Sequence, residues 1–174
     1  MTLQDLYREG IRKLTENEVP EAELNAWYLL QSCLSEEPFS YTRSRFFLEQ
    51  MEQAAPETIT SYMEKVSKRE EHIPLEYILG YTEFMGLTFL VREGVLIPRQ
   101  DTEILVEMAL EVSTGKKVLD LCTGSGCIGL SIAVCGNPKS VTLSDISEED
   151  ADCMIRTIEK FYQIMCERRS HYDK

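Results

Sequence analysis

The 174 residues suit one domain of average size or two small ones, and 43% hydrophobic with 28% charged content is ordinary for a folded, soluble chain. A formal net charge of −12 excludes the clustered Lys and Arg that a nucleic-acid surface needs. No apolar run approaches the roughly 18 residues of a membrane span, and MTLQDLYREG lacks the basic patch and apolar core of a signal peptide, so a cytoplasmic protein or a fragment of one is expected.

In chain order, Thr2 and Asp5 have the spacing of a helix-capping start, and Leu3, Leu6, Tyr7, Ile11 and Leu14 follow on one helical face. Pro20 opens a second helix with Ala22, Leu24, Ala26, Trp27, Leu30 and Leu34 as its apolar residues, which ends before Pro38. A third, from Tyr41 to Met51, carries Phe46, Phe47 and Leu48, and a fourth begins at Pro56 with the stripe Ile59, Tyr62, Met63 and Val66. Trp27 and the Phe46–Phe47 pair read as core of a helical bundle that holds no catalytic cluster.

From His72 the texture changes. Pro74 to Gly80 reads as a turn or short helix, Glu83 to Val91 alternates as a hairpin about Gly86, and Val95 to Arg99 is a further extended piece. Asp101 or Thr102 then caps a helix with Ile104, Leu105, Met108 and Leu110 as its apolar residues, ending at Gly115.

The next stretch organises the second half. Val118 to Leu121 is a short apolar run suited to a buried strand, and it ends in Thr123-Gly124-Ser125-Gly126, which no regular element interior tolerates well. A helix begins at Cys127, and a second apolar strand, Ser140 to Leu143, leads to Asp145, 21 residues after Gly124. Strand, glycine turn, helix and an acid at the tip of the next strand form the nucleoside-binding corner of a doubly wound α/β domain.

Charge narrows the nucleoside. Asp120 stands four residues before Gly124, where its carboxylate faces the ligand crevice, unless it serves only to cap the turn. A dinucleotide pyrophosphate against that acid, about 4 Å away, costs roughly 4 kcal/mol at an effective dielectric near 20. S-adenosylmethionine instead brings an ammonium and a sulfonium, so the acid favours the methyl donor over NAD.

The six cysteines include no Cys-x-x-Cys pair, and neither His72 nor His171 has a partner at metal-ligand spacing. Buried free thiols in a reducing compartment, and no metal site, are expected. From Glu148 to Lys174 the residues Met154, Ile155, Ile158, Phe161, Tyr162 and Met165 mark an amphipathic helix, expected to cover one face of the sheet at Val118 to Leu121 without satisfying the backbone donors on that strand's open edge.

Several pieces match one family. Arg69 to Gly80 (REEHIPLEYILG), Glu83-Phe84, Leu96 to Glu103 (LIPRQDTE) and Asp120 to Gly129 (DLCTGSGCIG) resemble the glutamine N5-methyltransferases of peptide chain release factors, in family order. The resemblance implies an α plus α/β chain with three parts. These are a helical substrate-recognition bundle over residues 1–71, a linker with a β-hairpin over 72–98, and over 99–174 the first part of a class I, Rossmann-like S-adenosylmethionine-dependent domain. It implies a release factor as partner, methylated on the glutamine of its Gly-Gly-Gln loop. By the same resemblance Pro98, Arg99 and Glu103 cover the cofactor. Asp120, Cys122, Thr123, Gly124, Ser125 and Gly126 line its methionine part, and Asp145 binds its ribose.

The resemblance breaks downstream. The family's Asn-Pro-Pro-Tyr motif, which holds the acceptor amide, is missing, and only Asn137-Pro138-Lys139 occurs, before the second strand. No catalytic residue is therefore assigned. The chain reads as a truncated or frame-shifted member, inactive alone, with a non-catalytic release-factor-binding remnant as the alternative and an NAD-dependent oxidoreductase behind both. One edge of the first strand is left unpaired, which implies self-association.

Overall fold

The computed structural model of the chain describes residues 1–172, apart from the side chains of Glu149 and of residues 163–172. They form two compact units, Met1–Leu79 and Gly80–Lys174. The 72–98 segment, expected as a linker, is divided between them: a short fifth helix belongs to the first unit and the hairpin to the second.

The first unit contains α1 (Leu3–Glu16), α2 (Ala22–Leu34), α3 (Arg43–Glu49), α4 (Pro56–Glu70) and α5 (Leu75–Leu79). α1 starts with a reciprocal capping box: Thr2 Oγ1 accepts the Asp5 amide at 3.1 Å, and Asp5 Oδ2 accepts the Thr2 amide at 3.0 Å. Its predicted stripe is the buried one, with Leu6 and Leu14 fully enclosed. α4 starts at Pro56, whose missing N–H is an orphan at a first turn in any case. Tyr62 is fully buried between α1 and α2, where its hydroxyl donates to Ala26 O at 3.3 Å and its ring passes over Gly10. An alanine at position 10 would place its Cβ 1.9 Å from Tyr62 Oη, so only glycine fits under that ring. Trp27 sits within an aromatic cluster with Tyr7 and Phe46, and the Arg43 guanidinium lies 4.7 Å above its ring.

Phe47 departs from the core expected of the Phe pair. It is 72% exposed and its neighbour Leu48 is 82% exposed. The reason is geometric: α3 is two turns long, and successive residues on a helix point about 100° apart, so packing Phe46 inward turns Phe47 out.

The second unit runs β1 (Tyr81–Phe84), β2 (Leu87–Leu90), α6 (Asp101–Ser113), β3 (Lys117–Leu121), α7 (Cys127–Cys135), β4 (Ser140–Ser144) and α8 (Glu148–Tyr172). β1 and β2 pair antiparallel from Tyr81 opposite Leu90 to Phe84 opposite Leu87. Met85 and Gly86 close the hairpin, both with positive φ, 53° and 69°, as a two-residue turn with matching twist demands. The extended piece expected at Val95 to Arg99 is not a strand; it is a loop anchored by fully buried Val95.

β3 and β4 pair parallel, Val118 opposite Val141 and Asp120 opposite Leu143, with α7 as the crossover. α7 packs on one face of this sheet, where Val118, Val141 and Leu143 join a cluster with buried Leu130 and Ile132. The opposite face is bare: Leu119 is 59% and Leu121 66% exposed. Among the described residues no strand pairs with the other edge of β3.

Two expectations for α6 are corrected. Neither Asp101 nor Thr102 caps it; Gln100 precedes it in helical conformation, without a side-chain cap. Ile104, Leu105 and Met108 are exposed, because only the face carrying Val106, Ala109 and Leu110 meets the cluster under α7.

α8 corrects a larger one. It is expected to cover a face of the sheet at Val118 to Leu121 through Ile155, Ile158, Phe161 and Met165. Ile155 and Ile158 are instead exposed, while Cys153 and Thr157 are buried; Met165 lies outside the described side chains. Thr157 Oγ1 accepts the Leu90 amide at 3.1 Å and Cys153 Sγ donates to Leu90 O at 3.0 Å. The helix thus satisfies both backbone groups of one residue of β2 with two side chains spaced i, i+4. Phe161 adds an edge-on contact to Phe89, ring centroids 5.5 Å apart.

Candidate functional site

The parallel pair ends at a turn that its own residues hold together. Thr123 N donates to Ser144 O at 3.1 Å, so the last residue of β4 holds the chain just beyond the end of β3, before the glycines begin. Cys122, Gly124 and Gly126 all have positive φ, of 56°, 56° and 79°. This left-handed conformation strains Cys122 and suits the two glycines. Gly126 N donates to Thr123 O, and Gly126 O accepts the Leu130 amide as α7 starts.

Two carboxylates brace this turn in different ways. Asp120 Oδ2 accepts the Thr123 hydroxyl at 2.6 Å and the Gly129 amide at 2.9 Å. It is the turn cap that the sequence left open as an alternative, joining the strand end to the first turn of α7. Asp145 Oδ2 accepts the Gly124 amide at 2.8 Å and its Oδ1 accepts the Ser147 amide at 3.0 Å. Those two backbone donors, Ser147 first, hold the Asp145 carboxyl below the usual carboxylate range. Among the described residues no Lys or Arg forms an ion pair with either acid.

The remaining predicted residues fall around this corner unevenly. Thr123 and Ser125 are buried beneath the turn, and Cys122 is exposed at its rim. Gly129 is as constrained as the glycines of the turn itself: an added Cβ would lie 2.1 Å from Leu143 Cδ2 and 3.0 Å from Asp120 Oδ2. Pro98 and exposed Arg99 lie in the loop before α6. Glu103 is engaged elsewhere, its Oε1 accepting the Met85 amide at 2.5 Å and so tying α6 to the hairpin turn.

The cysteines correct the expectation of uniformly buried thiols. Cys127 and Cys153 are buried and Cys33 is half-buried, but Cys122 and Cys135 are exposed; Cys166 lies outside the described side chains. Burial pushes the Cys127 thiol above its ordinary range, the Ser125 hydrogen bond opposing it.

Sequence reasoning missed Ser147, Asp150 and Met154. Ser147 Oγ accepts the Asp150 amide at 3.1 Å, capping α8 beside the site. The Ser147-x-x-Asp150 spacing was the available signal. Asp150 Oδ1 is buried without a hydrogen-bond partner. Met154 packs on Gly126. Asn137-Pro138-Lys139 lies at the other end of the sheet, where Gly115 N donates to Asn137 O and Lys139 N to Lys116 O. At about 3.3 Å per residue, the length of β3 separates it from the glycine turn.

The geometry suits a nucleoside ligand with a cationic arm. An added Cβ at Gly124 would meet nothing within 4 Å, so that side of the turn is open to an approaching group. Two acids without an ion-pair partner stand beside it, and a pyrophosphate would meet them at a Coulombic cost.

Two family models match the chain. Residues 5–80 match the PrmC N-terminal domain, and residues 93–169 match a lysine methyltransferase family. The release factor glutamine methyltransferase of Clostridium botulinum is 36% identical over 152 residues, which are 85% of this chain and 52% of the relative. That of Leptospira interrogans is 39% identical over 149 residues, 83% of this chain and 50% of the relative. A third, from Clostridium acetobutylicum, is 50% identical over 95 residues, 53% of this chain and 33% of the relative. The chain spans about half the length of the curated relatives it matches.

Proposed function

Because the chain belongs to the release factor glutamine methyltransferase family, we propose that its second unit carries the methionine- and ribose-binding corner of an S-adenosylmethionine site. Its first unit, on this reading, presents a surface to a peptide chain release factor in the cytoplasm. The observation that carries the proposal is a glycine turn flanked by two carboxylates with no cationic partner. The bound cofactor supplies a methyl group on a cationic sulfur. Asp145 supplies acceptors for ribose hydroxyls. Gly124 leaves room for the ligand, and Cys122, Thr123, Ser125 and Gly126 shape the turn around it. Pro98 and Arg99 border the site from the loop before α6, and Glu103, in the first turn of α6, braces the hairpin turn. A dinucleotide oxidoreductase is disfavoured by the same two acids, which a pyrophosphate would have to approach.

The full family reaction would methylate the glutamine nitrogen of a Gly-Gly-Gln loop. Much of the rate of such a transfer comes from holding the acceptor in line with the donor. The Asn-Pro-Pro-Tyr motif is absent from these 174 residues, and Asn137 lies at the wrong end of β3 to replace it. The chain by itself therefore binds the donor and the release factor without transferring the methyl group. The open edge and bare face of β3 also favour self-association. Photo-crosslinking of labelled S-adenosylmethionine with peptide mapping tests the site. Label should fall on residues 117–129 or on the peptide holding Asp145, and label confined to residues 1–79 would overturn the assignment. In the same incubation an added release factor should stay unmethylated; methylation above background would show that another group holds the acceptor.

A further inference from the structure

The glycine turn has one open flank and one covered flank. At Gly124 an added Cβ would meet nothing within 4 Å, whereas at Gly126 it would meet Met154 Cγ at 2.9 Å and Met154 Sδ at 3.4 Å. Met154 stands on α8, and that helix is fastened on both sides of the contact. Towards its start, Asp145 bonds the amides of Gly124 and Ser147, and Ser147 Oγ caps the helix through Asp150 N. Further along, Cys153 and Thr157 hold the carbonyl and amide of Leu90, and Phe161 rests on Phe89. The Gly124 amide and the Gly126 flank are thus already occupied by the chain itself.

We infer that α8 is a latch on the Gly126 flank of the glycine turn: Met154 fills that flank and Asp145 occupies the Gly124 amide, so a ligand entering from the open Gly124 side reaches the full turn only when the helix shifts off it, which the hairpin contacts resist. The inference rests on the turn being the cofactor site. A methionine is chemically apt for the place, since its flexible thioether side chain resembles the sulfur-bearing chain of the ligand it would exclude. A closed resting state of this kind lowers apparent affinity by the fraction of molecules that are open.

Hydrogen exchange with and without S-adenosylhomocysteine, alongside calorimetric titration, tests this on the full chain, on Met154→Ala and on Thr157→Val. Thr157→Val removes the acceptor for Leu90 N while leaving Met154 in place. Both variants should bind S-adenosylhomocysteine more tightly than the parent, Met154→Ala by about tenfold or more. Adding the ligand to the parent should speed exchange in peptides covering residues 153–161. Equal affinity in all three proteins, with unchanged exchange at 153–161, would overturn the latch and leave the cofactor site standing. If none binds the ligand but exchange at Gly124 to Gly126 is faster in Met154→Ala, the closing contact is supported and the cofactor reading falls. No binding with unchanged exchange at the turn would sink both.

Discussion

Asp120 and Asp145 stand at the ends of adjacent strands, yet the structure gives them different work. Asp120 is an internal brace whose loss leaves the Gly129 amide and the buried Thr123 hydroxyl without an acceptor. Asp120→Ala should destabilise the second unit by about 1–3 kcal/mol in chemical denaturation, with Asp120→Asn milder because an amide oxygen can still accept. Equal stability of Asp120→Ala and the parent would contradict the bracing role. Asp145 predicts a pH effect. Its folded carboxyl lies below the ordinary value, so its stabilising contribution is complete above the unfolded pKa and is lost as pH falls through the folded one. Asp145→Asn should therefore lower second-unit stability across the neutral range and flatten its acid limb, so that the two proteins converge at low pH. An acid limb identical to the parent's would count against that. The positions of both acids were legible, because strand-end spacing is local. Which backbone donors each acid would hold was not, since that depends on how the turn folds back on α7.

Elements were legible where one face alone had to be apolar, and less so where a helix is apolar on several sides. α1 and α4 bury the predicted stripes. α3, α6 and α8 carry apolar arcs wider than the face that packs, and sequence periodicity could not say which part of each arc would find a partner. On α8 the answer came from Cys153 and Thr157, whose polar atoms match the open carbonyl and amide of Leu90, and no periodicity records that match. At β3 the sequence reading of an unpaired edge agrees with the pairing observed, and its face adds exposed Leu119 and Leu121. An open edge beside a bare apolar face invites strand addition from another copy. Sedimentation should show concentration-dependent association that Leu119→Lys reduces. A monomer at all concentrations, or association indifferent to that substitution, would remove β3 as the contact.

At the scale of the whole chain, the two units differ in how much core each possesses. The first closes five helices over a continuous cluster around Leu6, Trp27, Leu30 and Tyr62. The second holds two separate two-stranded sheets, each marginal alone, and relies on α7 and α8 to cover them. Amides of Ile59 to Val66 should accordingly exchange more slowly than those of Val118 to Leu121; equal protection in a monomer would mean that the second unit folds as cooperatively as the first. Ligand binding by that second unit is tested most directly by calorimetric titration of the full chain with S-adenosylmethionine and, separately, with NAD. Saturable binding of the methyl donor that is lost in Asp145→Ala, with no heat from NAD, is the predicted result. Binding of NAD without the methyl donor would contradict it.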